Sequence, residues 1–293
     1  MSGTLFNRRL LLQKQTAPVI VLLAVVSALS ILFSPEASAQ GNLLITPRRA
    51  VFEGSRRSLD LNLANTGGDT ATFAISLVQI RMTEEGGFET ITEPDAGQRF
   101  ADRYIRFFPR TVTLGPNEAQ VVKVQTINTN GLQPGEYRSH FYFRAVPRAT
   151  PLGEDAPARD TTGISVVLTP VFGITIPVII RVGETSASVS LTDLSVEKAG
   201  AGAPSIIMVF RRSGNMSVYG DLTIDHISAS GTVTRVGTAN GLAVYTPNTI
   251  RKFQMNLIPV PGVDFSSGKL RIVFSASSDV KPEKYTEAEL LLR

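Results

Sequence analysis

Side chains able to do covalent or metal chemistry are sparse in this 293-residue sequence. There are two histidines, His140 and His226, and no cysteine. The missing thiols exclude disulfide frameworks, cysteine-bearing zinc sites, iron–sulfur ligation and thiol nucleophiles. Ser139 and His140 are adjacent, as are Asp225 and His226. Neighbours on an extended chain face opposite sides, so neither pair can act as a nucleophile–base relay. No carboxylates pair as in a glycosidase. The glycines fall in turns, with no phosphate-cradling or dinucleotide fingerprint. No catalytic residue, metal ligand or cofactor is therefore expected, and the chain does not read as an enzyme. Lys and Arg total 29 against 25 Asp and Glu, and the charges are scattered. Without a basic stripe, nucleic acid is not an expected partner. What remains is backbone pairing, apolar burial and the occasional guanidinium.

The elements that must position such groups begin after a targeting segment. Arg8, Arg9 and Lys14 precede the uncharged run Ala17–Phe33, then Pro35 and the small-residue site Ala37-Ser38-Ala39. This is the pattern of a secretory signal peptide, residues 1–39, cleaved after Ala39. The run is at the short end for a membrane span. The mature chain is expected outside the cytoplasm, nearly neutral, and without disulfides to support its core.

From Gln40 onward, short alternating runs are separated by turn residues. Ser58–Asn65 alternates with period two, Thr66-Gly67-Gly68-Asp69 turns, and Thr72–Val78 follows. Thr111–Leu114, Gly115-Pro116-Asn117 and Ala119–Val124 read as strand, turn, strand. Thr83–Gly87 reads as the turn of an exposed hairpin, and Tyr137–Val146 as an aromatic-rich strand. The second half repeats the theme with Ser205–Phe210, Val218–Ile227, Val233–Val236, Arg251–Leu257, Leu270–Ala276 and Ala288–Arg293. No sustained helical period appears. The fold expected is all-β, with two β-sandwich domains at 40–182 and 183–293.

One segment exceeds what a core strand requires. After the polar, proline-bearing stretch Arg148–Gly163, the even positions Ile164, Val166, Leu168, Phe172, Ile174, Ile176, Val178 and Ile180 are apolar, interrupted only at Pro170. Strands usually run five or six residues. Pro170 and Pro177 suit an edge or bulge better than a central strand. Ile176–Ile180 is expected to face its own core. Ile164–Phe172 is expected to form an exposed stripe open to a partner, because a long apolar edge needs a cover.

These segments together resemble the periplasmic pilus-assembly chaperones of the PapD type. Arg49–Gly54 followed by Ser58–Leu61 is similar to the first two strands of that family. Gly135–Pro147 is similar to its aromatic F strand, and Ile164–Arg181 stands where the long G strand lies. The resemblance covers most of 43–182, with a weaker second sandwich behind it. It implies two immunoglobulin-like sandwiches set as a boomerang in the periplasm. It also implies donation of the G strand to an incomplete pilin-like subunit, which is then passed to an outer-membrane usher. On this reading Ile164, Val166, Leu168 and Phe172 are the donor-strand stripe, which also invites self-association. Arg49 matches the arginine that anchors the subunit's carboxylate. Arg181 matches an interdomain arginine, with Asp264 as its expected acidic partner. The family's second acidic position is taken by Arg138, with Glu136 nearby. The family's second anchoring residue, a lysine, falls at Pro177. Arg48 and Lys123 are the candidates to replace it. That departure keeps a second expectation open: a structural or adhesive envelope protein with immunoglobulin-like domains and no chaperone cycle.

Overall fold

A computed structural model describes residues 42–147, 171–197, 204–277 and 283–292. The signal segment and Ile164, Val166 and Leu168 lie outside them. The regular structure of the described residues is strand, apart from one short 3-10 turn at Asp102–Tyr104. No helix among them is long and apolar enough to cross a membrane.

The first sandwich has strands β1 (Leu43–Thr46), β2 (Ala50–Phe52), β3 (Ser58–Asn65), β4 (Ala71–Val78), β5 (Ile80–Met82), β6 (Phe88–Thr90), β7 (Ile105–Phe108), β8 (Thr111–Leu114), β9 (Ala119–Thr126), β10 (Gly135–Val146) and β11 (Gly173–Val182). One sheet runs β1-β3-β9-β7 and the other β2-β11-β10-β4-β8; β5 and β6 form a separate hairpin. The alternation in Ser58–Asn65 has its physical counterpart here: Leu61 and Leu63 point inward while Asp60 and Asn62 face solvent. Phe52, Leu61, Leu63, Phe73, Phe107, Val124, Phe141, Phe143, Ile176, Val178 and Ile180 belong to one core between the two sheets.

The second sandwich has β12 (Ala187–Glu197), β13 (Ser205–Gly214), β14 (Val218–Ile227), β15 (Val233–Val244), β16 (Ile250–Asn256), β17 (Lys269–Ala276) and β18 (Lys284–Leu291). Its sheets run β12-β13-β16 and β15-β14-β17-β18. Ile206, Met208, Phe210, Leu222, Ile224, Ile272 and Phe274 fill a second core. A third, smaller apolar cluster joins the sandwiches. Met82 and Ile179 of the first pack with Ala243 and Tyr245 of the second. Between β11 and β12, Gly183 adopts φ +63 and sits against Pro134, a backbone conformation that side-chain-bearing residues rarely hold.

Candidate functional site: an open strand edge beside a stacked arginine

β11 pairs antiparallel with β10 from Gly173 to Val182, but parallel with β2 only at Val178–Ile180. Along Gly173–Pro177 the side away from β10 therefore has no strand partner among the described residues. Ladder pairing with β10 continues past the strand's end, because the Phe172 carbonyl accepts from the Ala145 amide at 2.9 Å. Backbone groups alternate sides along an antiparallel strand. Phe172, Ile174 and Ile176 thus turn theirs toward β10, while Gly173, Thr175 and Pro177 turn theirs to the open edge. Pro177 is tolerated for that reason: its missing N–H would have faced outward. Ile176, Val178 and Ile180 enter the core as expected. Phe172 continues their face beyond the end of the sandwich and is 50% exposed. A Cβ at Gly173 would meet the far end of the Tyr142 ring lying across the strand, so a side chain there must displace that ring.

Arg49 directly precedes β2. Its guanidinium stacks on the ring of Tyr219 from the second sandwich, 3.9 Å from the centroid. Its Nε and Nη2 are buried and find no hydrogen-bond partner among the described residues. A guanidinium held against a ring face with unpaired N–H groups has the donor chemistry to pair with a planar anion such as a carboxylate.

Pro177 lies opposite His140 in the β10–β11 register. His140 supplies no replacement cation. Burial, aided by the neighbouring Arg138 charge, pushes its imidazole down to about 3, so it is neutral. A buried cation close by is Arg138, two residues earlier on β10. Its guanidinium stands 4.3 Å over the Tyr245 ring. Nη1 donates to the Ile80 carbonyl at 3.2 Å and Nη2 to the Thr246 carbonyl at 3.1 Å, while Nε has no partner among the described residues. Burial and the nearby Arg49 charge lower its pKa, while Tyr245 and Glu136 oppose them. Of the two candidates read from the sequence, Arg48 is exposed, and Lys123 pairs with Asp60 at 3.5 Å on the other sheet.

The expected Arg181–Asp264 pair does not form. Arg181 binds Glu53 at 2.9 Å and Glu136 at 3.4 Å instead. Glu136 is buried and also accepts from the Ser217 amide at 3.0 Å, the Ser217 hydroxyl and the Thr246 hydroxyl at 3.3 Å. Asp264 accepts from the Ser266 amide at 2.8 Å and from the hydroxyls of Ser266 and Ser267 in its own turn. That turn meets the far end of β14, where His226 Nε2 lies 3.0 Å from the Ser267 carbonyl. Ser217, which holds Glu136, precedes the other end of the same strand. Glu136 shares one face of β10 with Arg138 and His140, a polar row that by itself does not disclose what it pairs with. Beside this network a cleft of about 360 Å³ opens between the sandwiches, lined in part by Arg99, Glu136, Arg212, Asn215 and Thr246. Among the described residues no His, Cys, Asp and Glu cluster could hold a metal ion.

Among solved structures, the chain is similar to the YadV chaperone: 13% identity, 86% of this chain and 100% of that one covered, TM-score 0.42. It is similar to the CsuC–CsuE chaperone–tip subunit pre-assembly complex of Acinetobacter baumannii: 14% identity, 85% and 98% covered, TM-score 0.43. It is also similar to the E. coli chaperone DraB: 10% identity, 86% and 98% covered, TM-score 0.39. No family profile and no curated protein sequence matches it.

Proposed function

We propose that this protein is a periplasmic chaperone for pilin-like secreted subunits. It lends the segment Ile164–Phe172, with β11 behind it, to a subunit whose own fold is one strand short, and it delivers that subunit to an outer-membrane usher. The observation that carries this reading is the open edge of β11 at Gly173–Pro177, flanked by the exposed Phe172 and by Arg49 with unused donors. A subunit lacking a strand needs backbone partners and apolar side chains at alternate positions, and such a strand supplies both. Arg49 takes the subunit's terminal carboxylate, and Tyr219 holds the guanidinium flat for it.

The domains are 40–182, which carries the donor strand, and 183–293, which supplies Tyr219 and the second wall of the cleft. Residues 1–39 direct export and are removed.

The test is co-expression with a small secreted pilin-like subunit and isolation of a 1:1 complex. Each donated side chain contributes roughly 1.5–3 kcal/mol of burial. Leu168→Glu or Phe172→Glu is therefore expected to abolish the complex; an unaffected complex sinks strand donation by this stripe. A hydrogen bond to a charged group is worth about 1.5–3 kcal/mol. Arg49→Ala is thus expected to weaken subunit binding roughly 10- to 100-fold. Unchanged affinity removes the carboxylate anchor.

Pro177 in the place of the family lysine favours a second reading, an adhesive or structural envelope protein. That protein would form no 1:1 complex with a strand-deficient subunit and would not distinguish it from a complete one.

A further inference from the structure

The β5–β6 hairpin leaves both sheets of the first sandwich and ends on the second. Its base is fixed within the first: the Ile80 carbonyl accepts from Gln98 Nε2 at 3.1 Å and from Arg138 Nη1 at 3.2 Å. Its turn is a closed unit, with the Thr83 amide donating to the Gly87 carbonyl at 2.9 Å and the Gly86 amide to the Thr83 carbonyl at 3.0 Å.

Every position from Met82 to Gly86 except Thr83 then meets the second sandwich. The Met82 side chain packs with Ala243 and Tyr245, and its carbonyl accepts from Asn248 Nδ2 at 2.8 Å. The Glu84 carbonyl accepts from the Lys252 amide at 2.6 Å. The Glu84 and Glu85 carboxylates lie 3.2 and 3.3 Å from Lys252 Nζ. Gly86, at φ +83, sits so close to Arg251 that a Cβ there would be 2.7 Å from Nε. Phe88 leans edge-on to His140, with its ring 6.3 Å from both His140 and Tyr245.

Two features separate this arrangement from an ordinary surface turn. β16 is an edge strand of its sheet, and the Lys252 amide is one of its outward donors, so the hairpin occupies an edge that would otherwise be open. The contacts are also spread over backbone, apolar and ionic groups on three consecutive parts of the second sandwich: the end of β15, the turn after it, and β16. A short link such as Gly183–Ser186 leaves two sandwiches free to hinge unless something else fixes them.

We infer that the β5–β6 hairpin is a latch that, together with the Glu136 network, fixes the second sandwich against the first, and that opening it loosens the hinge at 182–186. This inference concerns the conformation of the chain and stands whether or not it binds subunits.

Hydrogen–deuterium exchange on the full chain tests it. Gly86→Val forces a side chain into the close approach to Arg251, and Asn248→Ala removes the amide that donates to the Met82 carbonyl. Exchange at Val182–Ser186 and at Ala243–Thr246 is expected to rise about tenfold or more, while β3 and β17 keep their protection. If only the hairpin itself exchanges faster, it is a local turn and the latch is wrong. A second pair guards against misfolding. Glu84→Cys with Lys252→Cys offers a single possible disulfide, because the chain has no other cysteine. The oxidised form is expected to protect Val182–Ser186 at least as well as wild type, and the reduced form less well. Equal exchange in the two redox forms, or failure of the pair to oxidise, overturns the latch.

Discussion

His140 shows how one side chain can report on a buried surface. It stands among Phe88, Tyr245 and Arg138, with its Nδ1 lacking a partner among the described residues. Its folded-state pKa, pushed down to about 3, lies far below the ordinary 6.5. Below pH 6.5 the unfolded chain takes up a proton that the folded chain refuses. The stability associated with neutral His140 is therefore complete above pH 6.5 and is lost as pH falls toward 3. Urea unfolding over that range should show a loss of up to about 1.4 kcal/mol per pH unit from this group. His140→Phe should flatten the profile by that amount; an unchanged slope would mean the imidazole is hydrated. The sequence placed His140 on a strand and argued against a relay with Ser139. It did not disclose burial, because an alternating polar residue on a strand reads as solvent-facing.

At the scale of elements, hydrophobic period two was the most informative signal. It located the strands and separated Ile176–Ile180, which fills the core, from Phe172, which projects beyond it. What it left open was the approach of neighbouring backbones. Gly220 on β14 is a case: a Cβ there would overlap the Ser275 carbonyl of β17, and backbone cannot rotate away as a side chain can. The strand's pairing with β15 already shifts register between Gly220 and Leu222. Gly220→Ala is expected to cost the second sandwich about 1–3 kcal/mol. That loss should appear as a lower urea midpoint, whereas Gly68→Ala, with nothing within 4 Å of its Cβ, should leave the midpoint close to wild type. Equal midpoints for the two variants would show that β14 and β17 can separate without cost.

Across the whole molecule, the two sandwiches are joined by a polar network and a small apolar cluster. Glu136 is central, accepting from Ser217 and Thr246 and facing Arg181. The Arg181–Glu53 pair lies on the rim, with Glu53 largely exposed, and contributes little. Removing one member of a buried charge network costs about 3–5 kcal/mol, because the others stay desolvated. Glu136→Ala is expected to divide thermal unfolding by calorimetry into two transitions where wild type shows one. A single transition at an unshifted temperature would mean that the apolar cluster and the hairpin couple the sandwiches unaided.

Composition and alternation by themselves determined the all-β character, the absence of thiol chemistry, the exported leader as an expectation, and the inward face of β11. These follow from local chemistry: which side chains exist, and which share a face two residues apart. Only the tertiary structure decided what covers each face. Glu136, Arg138 and His140 form an ordinary polar row in the sequence, and the second sandwich buries that row. Arg181 finds Glu136 and Glu53 of its own sandwich rather than Asp264, whose turn lies at the far end of β14. Residues 81 and 110 positions apart close on Glu136. No local period carries that information; it arises when two cores are packed and their remaining charges must be satisfied.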